Sequence, residues 1–454
     1  MRALFRLLLL VSVVAPWAAE AVELQGVLQV QWGDAQDRGD APVQVQLATA
    51  GGTIELDDAQ ALLAAEDLYA MAGRPAIATI GGAQKHGGAA VANAIAPLAA
   101  KAAVGPVVED RPWVVLLCRF ADIAGEPQTP DYFRALFGYE PGQLGEYFDR
   151  MSEGHVQMRE ARVHGWYVLP GVRADYLNSR GNASLGKLMD DCIGSADAEV
   201  QFGPDVAGIL LMFNAPLDCC AWAGQVHKTL DGTTASWRVA WLPPYAYQNV
   251  AGLAHEIGHT FGLPHSNNSD GDADTYDSPW DLMSDSYRYA VRDPLFGRLP
   301  KSLAAHQRDR LGWVAAGRKR VLDREGSYRV KLVRADAGAA EDAELLELAW
   351  SGVAAGRRLV LSAVSRESGP DAALPGAAVI VHELDSQRRE PGWAMDTNPV
   401  AADYADTAGN MFQPGERWES PDGALRMQVL EQVADGFVVQ VDLTSPIFAD
   451  RFGD

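Results

Sequence analysis

The sequence predicts an α+β protein: an α/β centre built from a mixed sheet and helices, preceded by a small β-rich segment and followed by an all-β one. Three patterns carry that expectation. Apolar and polar residues alternate along Leu24–Trp32 and Val43–Leu47, the period-two signature of strands with one buried face. Between Arg111 and Leu242, short apolar runs alternate with stretches of helical spacing, which predicts a sheet layered with helices. From Tyr328 onward, strand-like runs recur at short intervals with turn residues between them, the pattern of a β-sandwich.

The 454 residues leave room for two or three domains at roughly 150 residues each. The expected division is a signal peptide over 1–21, a β-rich segment with its linker over 22–108, a catalytic α/β domain over 109–318 and a β-sandwich over 319–454. In the first segment Gly51-Gly52 marks a turn, and the Ala- and Gly-rich stretch Gly81–Gly105 reads as a linker or irregular crossing. Residues 22–108 suit either a propeptide-like unit covering an active site or a small accessory barrel. In the centre, Trp113–Phe120, Val156–Leu169, Val206–Phe213 and Trp237–Leu242 read as strands. Pro130–Met151 and Leu185–Ile193 read as helices. The C-terminal strands are expected at Tyr328–Val333, Leu345–Trp350, Arg358–Ala363, Ala378–His382 and Gly436–Asp442.

The N-terminus reads as an export signal. Arg2 and Arg6 are its basic region, Leu7–Val14 its apolar core, and Ala19-Glu20-Ala21 fits a cleavage site before Val22. That core is too short to span a bilayer, and no later stretch is long and apolar enough. The expected location is therefore secreted or periplasmic. A formal net charge of -22 argues against nucleic acid or an anionic membrane as partner, since both would repel the surface. Export permits disulfides among Cys118, Cys192, Cys219 and Cys220. Cys118, inside an apolar run, reads as a buried free thiol, and Cys192 as a partner for Cys219 or Cys220. No C-x-x-C pair points to a thiolate metal site.

The chemistry concentrates in His255-Glu-Ile-Gly-His-Thr-Phe-Gly-Leu-Pro-His265. Histidines at i and i+4 share one helix face, so both imidazoles can reach one ion. Val250, Leu253, Ile257 and Phe261 pack this helix, and Asn249 is placed to cap it. Gly262 sits where the chain must turn with positive φ, and Pro264 forbids further helix. The turn returns His265 as a third ligand, leaving a fourth position open, as in catalytic zinc sites. Glu256 cannot point with its neighbour His255 and is the candidate general base toward a zinc-activated water. The remaining histidines, His306 and His382 among them, lack ligand spacing and read as surface or packing residues. No G-x-S-x-G elbow suggests a serine hydrolase.

The extended motif resembles the metzincin signature. Trp280-Asp-Leu-Met-Ser284 supplies Met283, which resembles the Met-turn of that class. Within the metzincins the chain resembles the immune inhibitor A-like secreted peptidases, with the gametolysin-like group close by. Phe133–Met151 with Gly165-Trp-Tyr-Val-Leu-Pro170, then Tyr276–Ser284, Arg310-Leu-Gly-Trp313, and Arg366–Asp371 with Leu374-Pro-Gly376 carry the likeness. The N-terminal β-segment looks more like the gametolysin-like group. The resemblance implies a metzincin-like fold, one catalytic zinc and protein or peptide substrates.

Some metzincins carry a tyrosine two residues after the methionine. That position here is Asp285, so Tyr287 is the nearest candidate for an oxyanion donor or fifth ligand. Asp270-Gly-Asp-Ala-Asp274 suits either a Ca2+ loop through Asp270, Asp272 and Asp274 or a solvated acidic loop. The expected activity is zinc-dependent endopeptidase. The alternatives are a zinc amidase acting on a non-protein acyl bond, and an extracellular glycan- or protein-binding module with latent peptidase activity. Trp237–Leu242 precedes the zinc helix by a short connection, and the resemblance implies that it is the edge strand to which a substrate peptide adds.

Overall fold

A computed structural model describes residues 21–444, apart from 37–40, 58–64, 87–88, 99–105, 160, 271–274, 336, 351–355, 367–368 and 398–406. All but the last residue of the expected signal peptide lie outside the described residues. Strands β1 (Val22–Ala35), β2 (Val43–Thr49) and β3 (Gly52–Asp57), helix α1 (Ala65–Met71), and strands β4 (Pro75–His86) and β5 (Ala89–Pro97) come first. Their order, β2-β3-β5-β4-β1 with β1 also paired to β2, closes a small five-stranded barrel. Leu28, Val30, Leu47, Ala76 and Ala78 fill it.

The stretch Gly81–Gly105 is therefore not simply a linker, since β4 runs to His86 and β5 covers Ala89–Pro97. Its inward positions include Ala92 and Ile95. Small residues suffice where strands close a tight barrel, and they blur the alternation that would announce a strand.

The central layer follows with β6 (Val114–Arg119), α2 (Pro130–Leu136), α3 (Leu144–Met151), β7 (Arg162–Val168), α4 (Leu185–Ala196), β8 (Gly208–Phe213), β9 (Cys220–Leu230), β10 (Thr233–Leu242), α5 (Pro244–Tyr247) and α6 (Val250–Thr260). Strands β7, β6, β8 and β10 run parallel, and β9 pairs antiparallel to β10. Along β6, Val115 and Leu117 join one core with α2, α3 and α6, while Val114, Leu116 and Cys118 join the opposite core under α4. A sheet covered on both faces explains why β6 and β8 read as unbroken apolar runs.

That face assignment decides the disulfides. Cys118 points at α4 and meets Cys192 in a disulfide with Cα atoms 6.0 Å apart. Cys219 and Cys220 are bonded to each other. Both sequence expectations, a free Cys118 and a bond from Cys192 to Cys219 or Cys220, are overturned: alternation on β6 turns Cys118 toward the buried side of α4.

The expected edge strand is also corrected. β10 is internal, flanked by β8 and β9. The central strands end at β7 on one side and, beside β10, at β9, which its Gln-, His-, Lys- and Thr-containing second half had hidden. Its outer side is not free either, because the last residues of β1 pair with it, from Gln31↔Gly224 to Ala35↔Cys220. One fourteen-residue strand thus closes the barrel with its first half and extends the central sheet with its second.

After α6 come β11 (Ser266–Asn268), the β12 (Arg292–Asp293) and β13 (Gly297–Arg298) pair, and α7 (Ala305–Arg310). The strands β14 (Lys319–Leu322), β15 (Gly326–Val333), β16 (Leu345–Leu348), β17 (Arg357–Val364), β18 (Ala378–Asp385), β19 (Gly392–Ala394), β20 (Arg417–Glu419), β21 (Leu425–Val433) and β22 (Gly436–Leu443) then form two sheets. These are β11-β19-β18-β17-β16-β14 and β15-β22-β21-β20. A shared apolar core that includes Leu346, Leu361, Val381, Val429 and Val439 joins them. β11, directly after His265, is the terminal strand of the larger sheet and pairs with β19. Among the described residues no helix is long and apolar enough to cross a membrane.

Candidate metal centre

Helix α6 is buried along its whole length. It ends in a Schellman motif: Leu263 N–H donates to Gly258 O at 3.2 Å and Gly262 N–H to His259 O at 2.9 Å. Gly262 has φ +87°, the left-handed conformation expected of that position. At the other end the Asn249 side chain does not cap the helix. Its Oδ1 accepts from Arg298 N–H at 3.2 Å, and Val250 N–H donates to Phe296 O at 3.1 Å. A tertiary carbonyl does the work expected of the cap.

The C-terminal turn brings the three motif histidines together. Their Nε2 atoms lie 3.1 Å apart between His255 and His259, 3.0 Å between His259 and His265, and 3.3 Å between His255 and His265. His255 Nδ1 is 2.7 Å from Leu282 O and His259 Nδ1 is 2.8 Å from Leu263 O. A carbonyl only accepts, so each of these Nδ1 atoms carries the proton and each Nε2 turns a lone pair inward. Two such lone pairs at 3.1 Å repel unless a cation lies between them. The donor set therefore fits a metal ion, and imidazole nitrogens with one carboxylate suit zinc.

That carboxylate is Asp34, which was not singled out from sequence. Its Oδ1 lies 2.8 Å from His265 Nε2 and 3.2 Å from His255 Nε2, and its Oδ2 lies 3.2 Å from His259 Nε2. The four ligand atoms fall within 4.8 Å of one another. Burial opposes the charge on Asp34, but the three imidazoles outweigh it and hold its carboxyl well below the usual range. Burial pushes the His259 imidazole down to about 4. Burial acts in the same sense on His255, but Asp34 overcomes it and raises that group.

Glu256 is 2% exposed, and its Oε2 has no hydrogen-bond partner among the described residues. Burial, with the negative Asp34 adding to it, pushes its carboxyl well above the usual range. It opens onto a cavity of about 440 Å³ shared with Asp34, Tyr245, Gly252, Tyr276 and Tyr287. A carboxylate short of hydrogen bonds beside a cavity is placed to take a proton from a molecule that enters.

Met283 lies against the same helix. A Cβ built on Gly258 would come within 2.5 Å of its sulfur, so the glycine is what lets the methionine approach α6. Asp281 fixes this loop: its carboxylate accepts from Met283 N–H at 3.2 Å, Ala304 N–H at 3.0 Å, Ser266 Oγ at 2.7 Å and Gln307 Nε2 at 3.3 Å.

Tyr287 does reach the cavity, its hydroxyl lying over Gly252 of α6. The tyrosine nearer the histidines is Tyr276. Its ring is 5.2 Å from that of His265, and its hydroxyl donates to Asp34 Oδ1 at 2.6 Å. Of the expected calcium ligands, Asp272 and Asp274 lie outside the described residues, and Asp270 joins none of the metal-ligand clusters formed by the described ones. His306 and His382 are packing residues of an unusual kind, a buried pair with ring centroids 4.6 Å apart and no hydrogen bond to any of the four nitrogens among the described residues.

A helix carrying two of three convergent histidines, with a buried glutamate beside them, defines a potential zinc-binding active site. Residues 174–289 match the family model described as metallo-peptidase family M12, a span that runs from before α4 to beyond Tyr287. The chain thus carries a partial M12-family metallopeptidase domain, which supports a metzincin-like zinc peptidase in general rather than any one subgroup. Among solved structures, wild-type OgpA from Akkermansia muciniphila matches at 15% identity over 76% of this chain and 96% of its own, with a TM-score of 0.29. No curated protein matches.

Proposed function

We propose that the protein is an exported zinc endopeptidase of the metzincin type. The observation that carries this reading is the convergence of three imidazole Nε2 atoms next to a buried Glu256 whose Oε2 has no hydrogen-bond partner among the described residues. In this reading His255, His259 and His265 hold the metal, and Met283 forms the Met-turn. Zinc held there supplies Lewis acidity to a substrate carbonyl and lowers the pKa of water toward ~7. Glu256 accepts the proton of the attacking water and later returns it to the leaving amine. Tyr276 and Tyr287 face the cavity as hydroxyl donors toward a developing oxyanion. Residues 109–318 make up the catalytic unit, flanked by the β-rich units 22–108 and 319–454. The sequence likeness to immune inhibitor A-like peptidases narrows the substrate class to protein or peptide.

The test is hydrolysis of casein by protein from Val22 onward carrying Asp34→Ala. One zinc per chain and cleavage abolished by a chelator are expected. A protein that binds zinc but leaves casein and a peptide library intact would remove the endopeptidase reading.

A further inference from the structure

Independently of the zinc reading, we propose that a cavity beside the turn leading to His265 binds a compact oxyanion ligand of the phosphate or sulfate type, held by arginines from three parts of the chain. The cavity measures about 500 Å³ and lies where the barrel, the central sheet and the C-terminal sheets meet. That size suits a small molecule. Among the described residues its charged lining is Arg74 just after α1, Arg238 on β10, Arg310 at the end of α7 and Arg358 on β17, with Asp309 the one carboxylate. Over the whole chain acidic residues outnumber basic ones by 60 to 38. Four guanidinium groups around one cavity run against that balance, and a cleft lined by one sign of charge concentrates ions of the other. A helix C-terminus attracts basic side chains and would account for Arg74 and Arg310, but Arg238 and Arg358 lie on strands.

Nearby carboxylates do not reverse the balance, because each comes with a cation of its own. Asp309 lies 2.7 Å from Lys319. Glu390, which acts on Tyr69 of the lining, lies 3.3 Å from Arg389. Arg238 is paired with Glu109 at 2.6 Å, and Arg358 lies 3.8 Å from Glu347, which Lys319 approaches to 3.1 Å. Among the described residues the Arg74 side chain makes no hydrogen bond or ion pair. His306 also lines the cavity, and burial, with Arg310 and Arg358 adding to it, lowers its imidazole to about 3. Two of the guanidinium charges are thus felt together at one point of the wall.

Aromatic faces hold two of the guanidinium planes in place. Arg310 lies over Tyr69 with its Cζ 5.7 Å from the ring centroid, and Arg238 over Phe261 at 5.1 Å. A stacked guanidinium keeps its N–H edge for a ligand, and its planar fork matches the oxygens of a tetrahedral oxyanion two at a time. A bound oxyanion joins Arg74 of the barrel, Arg310 of the central unit and Arg358 of the C-terminal sheets. Phe261, Gly262 and Pro264 form one wall, so the same ligand braces the turn that presents His265.

The test is isothermal titration of zinc-loaded protein from Val22 onward with sulfate, orthophosphate and tripolyphosphate. At least one of the three should bind saturably, and the tightest distinguishes phosphate from sulfate chemistry. Losing one charge-assisted contact costs about 10–100-fold in affinity, so Arg74→Ala and Arg358→Ala should each weaken binding by about that factor. Arg358→Lys, which keeps the charge without the fork, should recover part of it. Arg324→Ala, at a side chain 89% exposed and outside the cavity, should change nothing. The ligand should also raise the urea midpoint of the unaltered chain and leave that of the Arg74→Ala/Arg358→Ala double variant where it was. His259→Ala, which should lack the metal, should bind the same probe. Affinities within about threefold of the unaltered chain in both arginine variants would overturn the proposal, and loss of binding in His259→Ala would then put the anion on the metal. No saturable binding of any probe below about 10 mM would overturn it equally.

Discussion

The Asp34 carboxylate lies 2.8 Å from His265 Nε2, although 231 positions of sequence separate the two residues. The contact exists because β1 serves two sheets, and the half that leaves the barrel carries Asp34 along β9 to the histidines.

Removal of one imidazole should remove the metal. His259 makes close nitrogen contacts with both other ligands, and its Nδ1 is anchored by Leu263 O. Losing a second-shell partner alone costs about 10–100-fold in affinity, so His259→Ala should lose more than about 100-fold. Elemental analysis after dialysis should find about one zinc per chain in the unaltered protein and almost none in the variant. Full occupancy in the variant would show that His259 is not a ligand.

Glu256→Gln should separate metal binding from turnover. Glu256 is not among the clustered ligand residues, so zinc content should stay unchanged. The amide cannot take a proton from water, and general-base catalysis typically contributes ~10²–10⁴-fold. In the Asp34→Ala background, kcat should fall by about that factor with KM little altered. Undiminished kcat would place the base elsewhere.

What could be read from the sequence was local. His255, His259, Gly262 and His265 declare themselves because helix periodicity and a single turn fix their relation, and all of it lies within one short segment. The parallel strands β6 and β8 were legible for the same reason, since burial on both faces leaves an unbroken apolar run. Asp34 was not legible: it is one acidic residue at the end of an alternating strand, and its role is set by which strand lies beside β1. The same kind of non-local fact misled the reading of β10. The metzincin resemblance and its nearness to α6 implied an edge, but pairing partners are not written in either strand alone. Cys118 illustrates the intermediate case, because alternation gives its face, whereas the helix opposite that face comes from the fold.

Asp281 should prove a positioning residue for the metal site. Its carboxylate holds the Met283 backbone, Ser266 next to His265, and the start of α7 through Ala304, all buried. Asp281→Ala would strand three donors at once, Met283 N–H, Ser266 Oγ and Ala304 N–H, and leave Gln307 Nε2 with Pro264 O alone. A buried unsatisfied polar group costs about 1–3 kcal/mol, and relaxation of the loop offsets part of the sum. A loss of about 3–5 kcal/mol in urea unfolding is expected, together with zinc affinity lower by about 10–100-fold. Asp281→Asn, which keeps the shape and one acceptor oxygen, should recover part of both. Loss of stability with unaltered zinc affinity would confine Asp281 to packing.

Lys301 should make stability rise in alkali. Its ammonium is 1% exposed and donates to Pro279 O at 3.0 Å, Asp285 O at 2.6 Å and Arg288 O at 2.5 Å, tying down the loop that carries Met283. Burial lowers its pKa to about 8, against the pull of Asp285, Asp371 and Asp281. An unfolded lysine keeps its proton to about 10.4. Between these values the unfolded chain binds more protons than the folded one, so the unfolding free energy contributed by this group increases with pH. Below about pH 8 both states are charged and the contribution is flat. Urea unfolding of the unaltered chain and of Lys301→Met, compared from pH 7 to 10.5, isolates it, since groups common to both proteins cancel in the difference. The variant should be less stable at pH 7, having lost donors to three carbonyls. The gap should widen by on the order of 2–3 kcal/mol across the window. A gap independent of pH would mean that Lys301 releases its proton at the same pH in both states, and that the three carbonyls fully compensate the burial of its charge.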